Sequence, residues 1–255
     1  FYMNFNQKFK NSISPNVLAI AKSKSFKDKF ILTATMLVLA NCGGGGGGGG
    51  GSSTQSPPTT STTLTGNVVK GPLQNAVVFA DYNNDGLLSA GEPSTRTLFD
   101  GSFSLNSTDP TANLVSISDS QTVDTFTGEN ASGVKLKAPG GSSVITPATT
   151  LLTEIQSSSP SSTKEEVASA LGLSGIDITT FNPFGSNVDQ NLALVAEKVA
   201  SQIIATVSSI AAAAEGTGAN KDIAYEKAIS AVSTAVASEI NDGNATDSLN
   251  LSSTN

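Results

Sequence analysis

The chain has 255 residues, a formal net charge of −7, a single cysteine, and neither histidine nor tryptophan. Without histidine it lacks the commonest general base, the usual partner of a catalytic serine and the commonest zinc ligand, which excludes most familiar hydrolase and metalloenzyme sites. One cysteine forbids an intramolecular disulfide, and an acidic chain with no basic patch carries no electrostatic footprint for nucleic acid.

Residues 1–41 read as an export signal. Lys22, Lys24, Lys27 and Lys29 form a positive segment, and residues 30–40 form an apolar run too short to span a bilayer comfortably. Leu39-Ala40-Asn41 then precedes Cys42, and nine glycines follow it. This arrangement resembles bacterial lipoprotein signal peptides, with Asn41 where a Gly, Ala or Ser is usual. The resemblance implies a diacylglycerylated Cys42 as the first residue of the mature chain. It also implies a location at the bacterial outer membrane or cell surface, the periplasmic face included. An uncleaved anchor helix and an ordinary secretory signal are the alternatives, and either still exports the domain. Loss of residues 1–41 leaves eight basic against twenty acidic residues, a formal charge of about −12. An anionic membrane surface repels such a chain, so the membrane partner is engaged through the lipid. The chain opens on Phe1 rather than Met, which fits a gene fragment or a start at Met3.

Residues 42–62, the acylated cysteine followed only by Gly, Ser, Thr, Pro and Gln, cannot bury enough apolar surface to fold. They are expected to form a disordered tether of roughly 25 Å. The glycine run lacks the Gly-Lys-Ser/Thr ending and the preceding strand of a phosphate loop, and reads as a spacer.

Over residues 63–140, short apolar or alternating runs at 64–69, 76–80, 96–99, 103–105, 114–117 and 134–136 predict strands. Asp100-Gly101 reads as a tight hairpin, because glycine accepts the positive φ such a turn needs. Six strands in this length are enough for a small antiparallel β-sandwich. Gly66-x-Val68, Gly71-Pro72-Leu73-x-x-Ala76-x-Val78, Asp81-x-Asn83-x-Asp85-Gly86 and Asp100-Gly101-x-Phe103 follow one another in order. They resemble the carboxypeptidase-regulatory-like and Cna-B/SdrD-B-like surface modules, and the resemblance covers this domain alone.

Over residues 141–240 the apolar period changes to three or four. Thr146-Pro147 reads as an N-cap and first helical residue leading into Leu151, Leu152 and Ile155. Ser162-x-x-Glu165 reads as a capping box for a second helix carrying Val167 and Leu171, with Gly172 as its C-terminal cap. A third helix over 189–214 places Leu192, Val195, Val199, Ile203, Val207 and Ile210 on one face, and Gly216 and Gly218 end it. A fourth over 220–240 does the same with Ile223, Ala228, Ile229, Val232, Val236 and Ile240. Alanine and serine on their flanks allow the two long helices to pack as an antiparallel pair. The expected class is therefore α+β and multidomain, a sandwich followed by a helical domain, with a disordered tail over 241–255. The Ile145-Thr146-Pro147-x-Thr149-Thr150-Leu151 stretch, with the Leu-Gly-Leu and Phe-Asn-Pro-Phe turns after it, resembles segments of exported bacterial repeat proteins, a resemblance that brings no chemical activity with it. Thr149, Thr150 and Asn182 read as caps and turn formers.

One constellation carries chemistry. Asp81, Asn83, Asp85, Gly86 and Glu92 match the calcium-loop pattern D-x-[DN]-x-[DN]-G-x5-E, and Leu88 supplies the apolar residue two positions after the glycine. Calcium takes several oxygen ligands, and alternate residues of a wound loop can direct oxygens inward. Asp81, Asn83 and Asp85 would give side-chain oxygens, Leu87 a backbone carbonyl, Ser89 a direct or water-mediated ligand, and Glu92 both carboxylate oxygens. The rival is an Asn/Asp/Gly-rich connection bonded to its own backbone and needing no ion. The flanks are those of a strand on one side and Pro93 on the other, not of a helix-loop-helix hand. The economical role is to staple a small domain that lacks disulfides, at an affinity of about 10⁻⁴ to 10⁻³ M.

The sequence thus predicts a non-catalytic, lipid-anchored surface or periplasmic protein acting as a stalk or adhesion-type module. A glycan- or protein-binding lipoprotein is the first alternative, although no tryptophan and only three tyrosines argue against an aromatic sugar platform. A hydrolase working with carboxylates alone is the second; it needs two carboxylates outside the loop, and the only nearby pair on the β-domain, Asp119 and Asp124, reads as turn residues.

Overall fold

Strands form where apolar side chains at every second position can share one buried face while the residues between them meet water. Ser102–Ser107 shows this directly, with Phe103, Leu105 and Ser107 buried and Ser104 and Asn106 exposed. The computed structural model describes residues 61–241. Its nine strands are β1 (Thr62–Val68), β2 (Leu73–Gln74), β3 (Val77–Asp81), β4 (Ser94–Arg96), β5 (Ser102–Ser107), β6 (Asn113–Ile117), β7 (Val123–Asp124), β8 (Lys135–Ala138) and β9 (Val144–Ile145). Four helices follow: α1 (Pro147–Ser158), α2 (Lys164–Ala170), α3 (Gln190–Glu215) and α4 (Lys221–Asn241). The class is mixed α+β, as expected.

The strands make three small sheets, ordered β5-β1-β9, β4-β3-β6-β8 and β2-β7. β1 runs antiparallel to β5, from Thr62 opposite Ser107 to Asn67 opposite Ser102. β3 is antiparallel to both neighbours, with Val78 opposite Thr95 and Ser116. One pairing departs from an all-antiparallel arrangement: Val144 and Ile145 lie parallel to Asn67 and Val68. Parallel neighbours need a long connection, and the whole strand-rich half supplies it.

The Asp100-Gly101 turn forms, with Gly101 at φ +76° and the Leu98 N–H donating to the Ser102 carbonyl at 2.8 Å. It does not close a hairpin, because β4 belongs to the four-stranded sheet and β5 to the three-stranded one. β4 has no buried residue, whereas β5 buries Phe103 and Leu105, so the chain leaves one sheet at the turn and adds its apolar face to the other. Glycine is required twice over, since a Cβ at Gly101 would lie 2.6 Å from the Val68 carbonyl oxygen. Val68, Phe103, Leu105 and Ile145 of one sheet share a single apolar cluster with Val78, Ala80, Leu114 and Leu136 of the other.

The Thr146 side chain accepts from the Thr149 N–H and Pro147 opens α1. The second capping box is displaced by one residue from expectation: Thr163 and Glu166 form it, not Ser162 and Glu165. Both registers offer a hydroxyl and a carboxylate three apart, and the one adopted buries Val167, Ala168 and Ala170. Asp189 caps α3 by accepting from the Asn191 and Leu192 N–H groups. The buried stripe of α3 is Ala193, Val199, Ile203, Val207 and Ala211, and that of α4 is Ala224, Ala228, Ile229, Ser233 and Val236. Leu192 and Ile223, expected on those stripes, are exposed. In each first turn the adjacent alanine, Ala193 or Ala224, is buried instead.

α1 is fastened to the edge strand β8 by its threonines. The Thr149 hydroxyl donates to the Lys137 carbonyl at 2.7 Å, and the Lys137 N–H donates to Thr150 Oγ1 at 2.9 Å. These hydroxyls satisfy backbone groups that the sheet edge would otherwise leave open.

Candidate metal centre

The calcium-pattern residues lie on the connection between β3 and β4. Asp81, the last residue of β3, is almost fully buried. Its Oδ1 accepts from the Asp85 N–H at 3.2 Å and its Oδ2 from the Gly86 N–H at 2.8 Å. Asn83 Oδ1 also accepts from the Asp85 N–H, and Asn83 Nδ2 donates to Asp85 Oδ2 at 2.8 Å. Asp85 Oδ1 accepts from the Leu87 N–H at 2.7 Å. Glu92 closes the loop by accepting from the Tyr82 N–H at 2.9 Å and from the Ser89 N–H at 2.8 Å, one through each oxygen. Asn84 and Gly86 take positive φ, at 58° and 70°, which winds the chain tightly enough for these bonds.

Every donor this loop presents to an ion is an oxygen, from carboxylates, an amide, a hydroxyl and the Leu87 carbonyl. That chemistry suits a hard cation such as calcium rather than zinc or copper. Each carboxylate oxygen of Asp81 and Glu92 accepts one backbone N–H bond and has capacity for a second partner. Among the described residues, no three side chains of His, Cys, Asp or Glu are gathered as a metal-holding group. The carboxylates brace the loop backbone rather than converge on one point. Cys42, expected to carry the lipid, lies outside the described residues.

Two neighbours of the loop had no signal in its motif. The Tyr82 hydroxyl lies 3.0 Å from Ser107 Oγ and 3.1 Å from Thr108 Oγ1, tying the loop to the end of β5. Lys135 and Lys137 on β8 approach its turn: a Cβ at Gly86 would stand 3.4 Å and 3.6 Å from their ammonium nitrogens. Lys135 pairs with Glu226 at 2.6 Å, and Lys137 with Glu154 at 2.7 Å and Glu226 at 3.3 Å. Burial alone would lower the Lys137 ammonium, but the two carboxylates more than offset it and hold its pKa raised. The alternation Lys135-Leu136-Lys137 is the one sequence trace of this network, since it places both lysines on one face of a strand.

The other acidic candidates are each engaged locally. Asp119 pairs with Arg96 at 2.6 Å and accepts from the Gln121 N–H, and its carboxyl is held below the usual range by the hydrogen bond from Arg96. Asp124 is buried against Lys70 at 3.3 Å and accepts from the Phe126 and Thr127 N–H groups. Glu197 on α3 lines a cleft with Val69, Leu173, Ile176 and Phe181. Burial first, then the charge of Asp124, pushes its pKa up to about 7 against the opposing pull of Lys70. No protein-family model matches this chain, and comparison with curated proteins and with solved structures finds no match.

Proposed function

We propose that this is a non-catalytic, lipid-anchored cell-surface or periplasmic protein in which the 81–92 loop is a structural calcium site, the whole acting as a stalk or adhesion-type module. In this reading residues 63–140 form a small β-sandwich, to one sheet of which the following segment adds β9 (Val144–Ile145), and residues 141–240 otherwise form a helical domain whose α3 and α4 are a long antiparallel pair. The observation that carries it is the loop itself: an all-oxygen donor set on a backbone already wound around the Asp81 and Glu92 carboxylates. Asp81, Asn83, Asp85, Leu87, Ser89 and Glu92 would hold the ion, which would supply charge cancellation and cross-linking of the loop rather than chemistry.

The test is calcium titration by calorimetry on the full chain, paired with thermal unfolding in chelator and in millimolar calcium. Calcium at ten times its Kd should add about 1.4 kcal/mol by mass action. Equal melting in the two conditions, with no binding heat, would leave the loop as a metal-free turn. A protein-binding role is favoured by a separate observation: Leu98, Phe99 and Phe126 are all largely exposed, and the 98–101 turn and Thr125 both pack against Pro72.

A further inference from the structure

The cleft beside α3 has several apolar walls and one charged one. Val69, Leu173, Ile176 and Phe181 line it, and of its lining residues only Glu197 is charged. Ala196 and Ala200, one helical turn apart on α3, keep the helix wall low beside that carboxyl. The space is narrow: about 30 Å³ is open to the centres of water-sized groups, enough for a single file of them. Among the described residues the Glu197 carboxyl has no hydrogen-bond or ion-pair partner. The ammonium whose charge it feels, that of Lys70, is already paired with the buried Asp124 at 3.3 Å. When Glu197 is ionised, the two carboxylates and one ammonium leave a negative charge uncompensated.

An exposed aromatic pair adjoins these groups. The Phe126 N–H donates to Asp124 Oδ1 at 3.0 Å, and its ring, 74% exposed, meets Phe184 edge-on with centroids 5.5 Å apart. Phe184 directly follows Pro183 of the cleft wall.

We infer that this cleft docks a lysine side chain of a partner protein, its alkyl stem between the apolar walls and its ammonium on the Glu197 carboxylate. The inference deepens the protein-binding reading above and rests on it; it is independent of the calcium and lipid-anchor readings. A lysine matches the site in both parts, since it buries an unbranched apolar stem while presenting a compact positive charge at its end. Charge complementarity decides its sign, and the exposed Phe126 favours a protein segment over a free amine, because an apolar residue next to the lysine can cover the ring.

The test is amide NMR of the full chain, ¹⁵N-labelled, titrated at pH 8 and low salt with acetyl-Leu-Lys-Leu-amide. Its control is acetyl-Leu-norleucine-Leu-amide, which keeps the stem and lacks the charge. The lysine peptide should give saturable shifts at Val69, Ala196 and Ala200 with a Kd on the order of 1 mM, and the norleucine peptide should bind at least about tenfold more weakly. Glu197→Gln should abolish that preference. So should pH 5 in the wild type, because burial and the charge of Asp124 raise the Glu197 pKa to about 7 against the pull of Lys70, and the carboxyl is then neutral. Equal affinity of the two peptides at pH 8, or undiminished binding of the lysine peptide by Glu197→Gln, overturns the inference. The norleucine control needs no substitution, so the result does not depend on how Glu197→Gln folds. Absence of saturable shifts at the cleft overturns it as well; shifts appearing instead at Leu98 and Phe99 would leave the protein-binding reading standing without it.

Discussion

At Glu92 one carboxylate serves two backbone donors, the N–H groups of Tyr82 and Ser89. Glu92→Gln keeps the volume but turns an amide NH₂ toward one of those donors, which costs about 1 kcal/mol even in chelator. It also removes one charge and one ligand oxygen. The variant should therefore melt below wild type without calcium and gain nothing when calcium is added; a full calcium response in differential scanning calorimetry would place the ion elsewhere. Glu197 gives a separate pH dependence. Its folded pKa is raised from 4.5 to about 7, so the folded state binds the proton more tightly than the unfolded chain does. The associated stability is complete below about pH 4.5, is lost as pH rises toward 7, and stays lost above it. For a partly exposed carboxyl near Lys70 and Asp124, screening holds the effect to on the order of 1–2 kcal/mol. Denaturant unfolding of Glu197→Gln should show a flatter profile over that window and greater stability than wild type at pH 8; parallel profiles would mean that Glu197 does not titrate there.

At the scale of elements, α3 is apolar and long enough to cross a membrane by length and composition, yet its Val199, Ile203 and Val207 belong to a buried cluster with Leu151, Ile155 and Ile229. That cluster, and not helix propensity, stabilises α3, as is usual for amphipathic helices. Ile203→Asp places a charge with no partner at a position 2% exposed, and should destabilise the protein by at least about 3 kcal/mol in thermal unfolding. An unchanged melting temperature would show that α3 is not packed in solution. Individual elements were largely legible in the sequence. The Thr146 cap with Pro147, the positive φ of Gly101 and Gly172, and the Asp189 start of α3 each depend on residues within four positions. The one-residue shift from Ser162 to Thr163 was not legible, because a capping box is equally good in either register and the choice lay with Val167 and Ala168 meeting the core.

At the scale of the whole molecule, Cys42→Ser should leave the chain unprocessed or soluble in membrane fractionation, and a variant that still partitions with lipid as the wild type does would put the anchor elsewhere. The sequence by itself determined the strand runs that became β1, β3, β5, β6 and β8, the Thr146 cap and the Asp189 start, and the oxygen spacing of Asp81, Asn83, Asp85 and Glu92, because these depend on side-chain alternation, helical period and backbone bonds a few residues long; it missed the two-residue strands β2, β7 and β9. Only the tertiary structure decided that β4 and β5 part into different sheets, that β9 lies parallel to β1, and that Lys135 and Lys137 connect the loop's turn to Glu154 and Glu226. Such contacts join residues far apart in the chain. They are chosen by which apolar faces close against each other, and no local pattern of residues encodes that choice.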